Sequence, residues 1–256
     1  MKHPLLDMEL YGLLGYPLGH SFSARYFADK FEREHIDAVY HNFEYDNVDE
    51  AMAFLLHQDN LKGFNVTIPY KQAVMPYLKG LSVEAEAIGA VNVVCVKHGA
   101  NGTELYGCNS DVIGFCRSIS PLLRPDVHKR ALVLGTGGAS KAVKYGLEKL
   151  GITPTYVSRK PAEGRLTYND LTPEVMQQHT VIVNCSPVGM YPHVDEAPSI
   201  PYQLLTADHL LYDLVYNPLE TRFMKLGAAQ GATVKNGLEM LHLQADAAWD
   251  MWHECD

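Results

Sequence analysis

Gly135, Gly137 and Ser140 stand in a Gly-x-Gly-x-x-Ser spacing directly after the apolar run Ala131-Leu132-Val133-Leu134. Beyond them Ala139, Ala142, Val143, Gly146, Leu147 and Leu150 recur at helical spacing. A strand, a glycine turn and a helix in that order aim helix N–H groups and a positive dipole end at the turn, an arrangement that holds a diphosphate. The third glycine of the dinucleotide fingerprint is missing, so the spacing alone reads equally as an ordinary strand-to-helix turn. At the end of the next strand, about 20 residues on, an NAD site places an acid to accept from the ribose 2′-hydroxyl. Ser158-Arg159-Lys160 stand there instead. Two cations and a hydroxyl suit a 2′-phosphate and point to NADP; the competing reading is a pair of solvated loop charges.

Other candidates lie earlier in the chain. Lys71 follows the run Asn65-Val66-Thr67-Ile68-Pro69-Tyr70, at a strand-to-helix junction on the carboxyl edge of a sheet, where open α/β sheets bind ligands. A lone lysine is otherwise a solvated charge. Asp111 opens a helix and is either a first-turn acid favoured by the dipole or a carboxylate aimed into a cleft. Asn92 is the polar residue in an apolar run and must be paired, with backbone or with a ligand hydroxyl. Ser21 and Ser23 read as loop and cap hydroxyls, the reading spacing favours, or as two donors to one polyhydroxylated ligand. Tyr216, in a proline-stopped turn after a strand, is placed to reach a ligand.

Composition narrows the classes of function. With 256 residues, 47% hydrophobic and 20% charged, the chain is that of a soluble globular protein of one or two domains. A formal charge of −9 argues against nucleic acid as a partner. Five cysteines without a CxxC pair suit free thiols in a reducing cytoplasm. The start has no apolar run of signal-peptide length and no segment approaches a membrane span. The twelve histidines show no HExxH spacing, so no metal site is expected.

The elements that must position these residues follow from periodicity. Strands are expected at 9–15, 38–43, 61–67, 89–96 and 104–109, the last two joined by an Asn101-Gly102 hairpin turn. Helices are expected at 24–34 with Ser23 as cap, at 48–57, from Tyr70 behind Pro69, at 82–88 and from Asp111. The run 120–125 breaks the pattern and marks the approach to a second domain. From Ala131 strands at 131–134, 155–157, 181–183, 210–214 and 233–234 alternate with helices, which implies a doubly wound parallel sheet. Leu238, Leu241, Ala245, Ala248 and Trp252 mark a final amphipathic helix carrying Gln244.

These blocks together resemble the shikimate dehydrogenase family over nearly the whole chain. The resemblance is carried by 15–23 (Gly-Tyr-Pro-Leu-Gly-His-Ser-Phe-Ser), 65–71 (Asn-Val-Thr-Ile-Pro-Tyr-Lys), 89–92 (Gly-Ala-Val-Asn) and 107–111 (Gly-Cys-Asn-Ser-Asp). It continues through 135–139, 184–190 (Asn-Cys-Ser-Pro-Val-Gly-Met), 213–218 (Asp-Leu-Val-Tyr-Asn-Pro) and 237–245. It implies an α/β chain of two domains: an N-terminal substrate-binding domain, 1–112 plus 238–256, and a C-terminal Rossmann-like NADP-binding domain, 113–237. The last helix would pack back on the first domain. The implied activity is reversible NADPH-dependent reduction of 3-dehydroshikimate to shikimate, with the substrate in a cleft between the domains.

By position, Ser21, Ser23, Thr67, Lys71, Asn92, Asp111, Tyr216 and Gln244 would hold the substrate. Lys71 and Asp111 would be the catalytic pair, Lys71 serving as general acid or as a cation beside the developing alkoxide. Gly135, Thr136, Gly137, Gly138 and Ala139 would cradle the diphosphate, and Ser158, Arg159 and Lys160 the 2′-phosphate. Leu214 and Gly237 would flank the nicotinamide.

The chain departs from the family at Ala24-Arg25-Tyr26-Phe27-Ala28, where Pro-x-x-His-Asn is usual, and at Ser158-Arg159-Lys160 in place of Asn-Arg-Thr. Ser110 and Val93 each replace a threonine. A monomer or homodimer is expected. Competing readings are a quinate/shikimate dehydrogenase preferring NAD, an enzyme like methylenetetrahydrofolate dehydrogenase, and a nucleotide-binding regulator without turnover.

Overall fold

The computed structural model describes residues 8–19, 22–100 and 102–254, so Ser21 and Asn101 lie outside the described residues. The chain divides into two compact units, one of 1–110 with 245–256 and one of 111–244. No helix among the described residues is long and apolar enough to cross a membrane.

The first unit runs β1 (Glu9–Gly15), α1 (Phe22–Glu34), β2 (Ala38–Glu44), α2 (Val48–Leu55), β3 (Leu61–Val66), β4 (Gly80–Leu81), α3 (Val83–Ile88), β5 (Val93–Gly99) and β6 (Gly102–Cys108). Its six strands lie in the order β2-β1-β3-β5-β6-β4. β1 pairs in parallel with β2 and β3, whereas β5 is antiparallel to both β3 and β6. Alternation sorts side chains to two faces. Leu14, Phe64 and Val94 pack with Met52 and Leu55 of α2, while Tyr11, Val93 and Cys95 pack with Phe27 and Phe31 of α1.

The second unit comprises α4 (Asp111–Ile119), β7 (Arg130–Leu134), α5 (Gly138–Lys149), β8 (Thr153–Ser158), β9 (Arg165–Thr167), α6 (Pro173–Gln178), β10 (Val181–Asn184), β11 (Leu210–Asp213), α7 (Arg222–Ala228) and β12 (Thr233–Lys235). It also holds the start of α8 (Leu238–Glu254), which ends in the first unit. Its strands, in the order β12-β11-β10-β7-β8-β9, are all parallel. Both faces are covered, which is why these strands read as unbroken apolar runs. Ala131, Val133, Val181 and Tyr212 meet Phe115, Val143 and Met240, and Leu132, Ile182 and Leu211 meet Met176 and Phe223.

Several expectations need correction. No α-helix opens at Tyr70. The chain makes turns there, then a short 3-10 helix at Met75–Tyr77. Met75 N–H bonds the Gln72 carbonyl at 3.1 Å and Tyr77 N–H the Val74 carbonyl at 3.0 Å; Pro76, lacking a donor, stops an α-helical ladder from continuing. The expected strand at 89–96 begins only at Val93. Gly89 closes α3 at φ 66, so Asn92 sits in the bend before β5 rather than within it. α1 starts at Phe22, which puts Ser23 in its first turn and not at its cap. The edge strand β9 had no apolar run to announce it. α4 lies in the second unit, as the expected boundary at 112/113 has it for all but Asp111 and Val112, and its Phe115 and Ile119 share a core with Val143 and Leu147 of α5. The early turns of α8 join that same core through Met240, and its later residues Ala245, Ala248 and Trp252 pack with Phe27 in the first unit.

Two buried histidines brace the second unit. His128 accepts from Arg124 N–H at Nδ1 (2.9 Å), so its Nε2 donates to the Asp208 carbonyl (3.1 Å). His179 donates from Nδ1 to the Val175 carbonyl (2.8 Å) and accepts from Thr155 at Nε2 (3.3 Å). Burial pushes both imidazoles below their ordinary pKa. The folded chain therefore keeps them neutral while the unfolded chain takes up protons below about pH 6.5. Their contribution to stability is complete above that pH and is lost as the pH falls from there toward their lowered values. The urea midpoint is expected to be lower at about pH 5.5 than at about pH 7.5, and the difference to shrink in His128→Gln.

Candidate functional site

β7 lies between β8 and β10, so the connections leaving β7 and β10 go to opposite sides and a crevice opens beyond their carboxyl ends. The turn Gly135-Thr136-Gly137 emerges there. Gly135 has φ +105, a conformation that side-chain-bearing residues rarely adopt, and its N–H bonds the Val157 carbonyl at 3.0 Å. Gly137 caps α5 without a side-chain bond, leaving the positive end of the helix at the turn. Ser140 takes the place of the missing third glycine: fully buried, it donates from Oγ to the Gly137 carbonyl at 2.6 Å.

A cavity of about 680 Å³ opens at this point. Its wall is made by Gly135, Thr136 and Gly137 after β7, Ser158 and Arg159 after β8, and Cys185 to Val188 after β10. The predicted glycine turn and two of the three predicted phosphate-binding residues are thus brought together. Lys160 is not part of the wall; its carbonyl accepts from Ser158 Oγ at 2.6 Å. Gly138 and Ala139 are the first residues of α5 and also lie outside the wall. A dinucleotide fits these residues: a Cβ on Gly137 or Gly138 would meet nothing within 4 Å, so the backbone is open to close approach.

Tyr168 and Glu196 also line the cavity, and no local pattern in the sequence marks them. Burial pushes the Tyr168 phenol and the Cys185 thiol up, so both are neutral groups there.

The loop after β10 is held from beneath. Asn184 donates from Nδ2 to Asp213 Oδ1 at 2.9 Å, and its Oδ1 accepts from Ser186 N–H (3.1 Å) and Ser186 Oγ (2.7 Å). Asp213 also accepts from Thr221 Oγ1 at 2.6 Å and from Val215 N–H at 3.0 Å. Burial pushes the Asp213 carboxyl up to about 6, against these three donors, which favour its charged form. The next residue, Leu214, lies so close to Gly237 that no Cβ would fit at that position. Tyr216, on the same segment, is exposed, and Gln244 is half-buried on α8.

In the first unit Thr67, Lys71 and Asn92 gather beyond the carboxyl end of β3. Thr67 N–H bonds the Leu14 carbonyl at 2.9 Å, and the Lys71 carbonyl accepts from Val91 N–H at 2.7 Å. Asn92 is buried, and both ends of its amide meet Ser110: Nδ2 donates to Oγ at 3.1 Å and Oδ1 accepts the backbone N–H at 2.7 Å. The next residue, Asp111, is buried at the start of α4 in the second unit. Among the described residues no group of three or more His, Cys, Asp or Glu side chains could hold a metal ion.

A six-stranded parallel sheet of this order, with a glycine turn opening on a cavity at its switch point, defines a dinucleotide-binding α/β protein. Residues 13–94 match the family model described as shikimate dehydrogenase substrate binding domain. A protein of Clostridium beijerinckii named shikimate dehydrogenase (NADP(+)) is 37% identical, over 97% of this chain and 93% of its own. One of that name from Methanococcus maripaludis is 35% identical, over 95% and 91%. The crystal structure of shikimate dehydrogenase from Aquifex aeolicus superposes with a TM-score of 0.83 at 33% identity, covering 97% of this chain and 93% of that one. The chain belongs to the shikimate dehydrogenase family. Among its structural neighbours is also quinate dehydrogenase from Corynebacterium glutamicum in complex with NAD, with a TM-score of 0.84 at 27% identity over 96% and 93% of the two chains.

Removing the buried carboxylate leaves the donors of Asn184, Val215 and Thr221 without their acceptor. Asp213→Ala is expected to lower unfolding stability in urea by about 3 kcal/mol. Asp213→Asn, which keeps an acceptor for Asn184 and Val215, should lose less than half of that.

Proposed function

We propose that this chain catalyses the reversible, NADP-dependent interconversion of 3-dehydroshikimate and shikimate. The observation that carries the reading is the likeness to enzymes of that name over 97% of the chain, which takes in the unit with Lys71 as well as the unit with the glycine turn. The wall residues Ser158 and Arg159, at the place where an NAD site presents an acid, support NADP as the cofactor. The protein acts as a monomer or homodimer in the cytoplasm.

When bound, NADPH supplies a hydride to the substrate carbonyl carbon. Everything else falls to the chain. Gly135, Thr136 and Gly137 would cradle the diphosphate, Thr136 and Gly137 with backbone N–H groups while that of Gly135 stays on Val157, followed by Gly138 and Ala139 at the helix start. Arg159, with Ser158 and Lys160, meets the 2′-phosphate, and Leu214 and Gly237 flank the nicotinamide. Ser21, Ser23, Thr67, Asn92, Tyr216 and Gln244 bind the substrate's hydroxyls and carboxylate and fix its orientation. Lys71 and Asp111 act at the oxygen being reduced, one proton passing to that oxygen as the hydride reaches carbon; in oxidation the same oxygen loses its proton to them. Their interaction with that oxygen is strongest near the transition state, where its charge develops.

The second reading, a quinate dehydrogenase using NAD, is favoured by the likeness to the Corynebacterium glutamicum enzyme. Following reduced-nicotinamide absorbance with shikimate or quinate, each with NADP or NAD, separates the two. Turnover with shikimate and NADP is the expected result; turnover with quinate and NAD alone would replace the first reading by the second. Lys71→Ala is expected to lower kcat by about 10²-fold or more with little change in shikimate KM. An intact kcat with a raised KM would remove Lys71 from the chemistry. Arg159→Ala should raise KM for NADP about tenfold, the worth of a charge-assisted hydrogen bond, and leave KM for NAD unchanged.

A further inference from the structure

Among the described residues four tyrosines pack against the cores of the second unit, and three of their hydroxyls are satisfied within it. Tyr156 donates to the Ser140 carbonyl at 3.3 Å, Tyr202 to the Pro198 carbonyl at 2.8 Å and Tyr212 to Ser118 Oγ at 2.8 Å. The fourth, Tyr168, has no hydrogen-bond partner among the described residues. Its hydroxyl is not sealed off from solvent either, since the one buried side-chain polar atom without a partner among those residues is Asn42 Oδ1. Tyr168 lines the cavity beyond β7, so its open hydroxyl is there for a ligand to use.

The backbone puts this side chain beside Arg159. β8 and β9 run parallel with Val157 opposite Leu166 and Ser158 opposite Thr167. Arg159 and Tyr168 are each the next residue, so they leave neighbouring strands whose backbones lie about 5 Å apart. The turn at Tyr168 is fixed, because Thr167 donates from its N–H and from Oγ1 to Asp170 Oδ2, both at 2.7 Å. The ring is held as well, against the core that contains Leu132, Val157 and Leu171.

The run 158–160 leaves room for a further donor. Ser158 Oγ already gives its proton to the Lys160 carbonyl at 2.6 Å, and Lys160 lies outside the wall. Arg159 is exposed and pairs with no acid among the described residues. A phosphate group brings three strong acceptor oxygens, more than one guanidinium edge satisfies.

We propose that Tyr168 is a cofactor-binding residue that favours NADP over NAD: its hydroxyl donates to the 2′-phosphate with which Arg159 pairs. This rests on the reading of the chain as an NADP enzyme. Burial keeps the phenol protonated, and therefore a donor, at neutral pH.

Tyr168→Phe removes one oxygen and keeps the ring against the core. The probes are adenosine 2′,5′-bisphosphate and 5′-AMP, which differ only in the 2′-phosphate, each titrated calorimetrically into the protein. The Kd for the bisphosphate is expected to rise about tenfold in the variant, the worth of one hydrogen bond to a charged acceptor. The Kd for 5′-AMP should stay unchanged, which also shows that the variant is folded. KM for NADP should rise in step with the bisphosphate Kd, with kcat and KM for shikimate unaltered. An unchanged bisphosphate Kd overturns the proposal. An equal rise for both ligands overturns it too, because the hydroxyl would then serve the adenosine they share. Either result leaves the NADP reading intact as long as the wild-type protein binds the bisphosphate more tightly than 5′-AMP. Wild-type protein without that preference overturns the NADP reading and this proposal with it.

Discussion

Asn92 and Asn184 solve the same physical problem in the two units. Each sits where the chain meets the end of a central strand, at a place where backbone N–H groups leave the sheet ladder and need partners. Asn92 takes the N–H of Ser110, and Asn184 takes that of Ser186. A backbone amide satisfied in this way is fixed relative to the strand, so the loops that carry function inherit the rigidity of the sheets. Thr67 and Lys71 are placed by β3 and by the 89–92 bend, whose Val91 N–H bonds Lys71. Cys185 to Val188 are placed by Asn184 and Asp213.

The parallel sheet adds a second constraint. Its strand order leaves one crevice at the switch between β7 and β10, and the strand-end segments 135–137, 158–159 and 185–188 line it. Gly135 is tied to this geometry by its positive φ and by its bond to β8, so the turn cannot be reshaped without disturbing the pairing of two strands. Ser140 shows how the lack of a third glycine is accommodated. Its short hydroxyl bonds back to Gly137 and stays buried, so α5 still opens directly from the turn.

The second sheet was legible because its strands are buried on both faces, and runs such as 131–134 and 181–183 need no long-range information to be read. That the glycine turn and Arg159 meet at one cavity was legible for a related reason, since it follows from their distance along the chain from such strands. What escaped was set by contacts distant in sequence. Nothing near Tyr168 says that it lines a cavity with Gly135. The partner of Asn184 is 29 residues away. The segment after Pro69 has the local look of a helix start, but the Lys71 carbonyl is claimed by Val91 and Pro76 lies ahead, so turns prevail. Asn92 was legible as a buried polar group needing a partner, though not as part of a bend, because Gly89 in its left-handed conformation ends α3 without leading directly into β5.

Asp213 shows the difference between holding a site and stabilising a fold. Its carboxyl moves from 3.8 to about 6 because burial penalises the charge more than three donors favour it. The folded chain therefore binds this proton more readily than the unfolded one. The resulting cost to stability is complete above about pH 6 and is relieved as the pH falls toward the unfolded value, opposite in sign to the effect of His128 and His179. A chain optimised only for stability at neutral pH would replace this group with apolar packing. Its geometry gives a reason for keeping it: one carboxylate accepts simultaneously from Asn184, Val215 N–H and Thr221, which no apolar side chain can do. Those bonds join the end of β10, the segment carrying Leu214 and Tyr216, and the cap of α7. The carboxylate therefore sets the relative position of a cavity wall and the segment that follows β11, and the energy spent on burying it is recovered as preorganisation of the site.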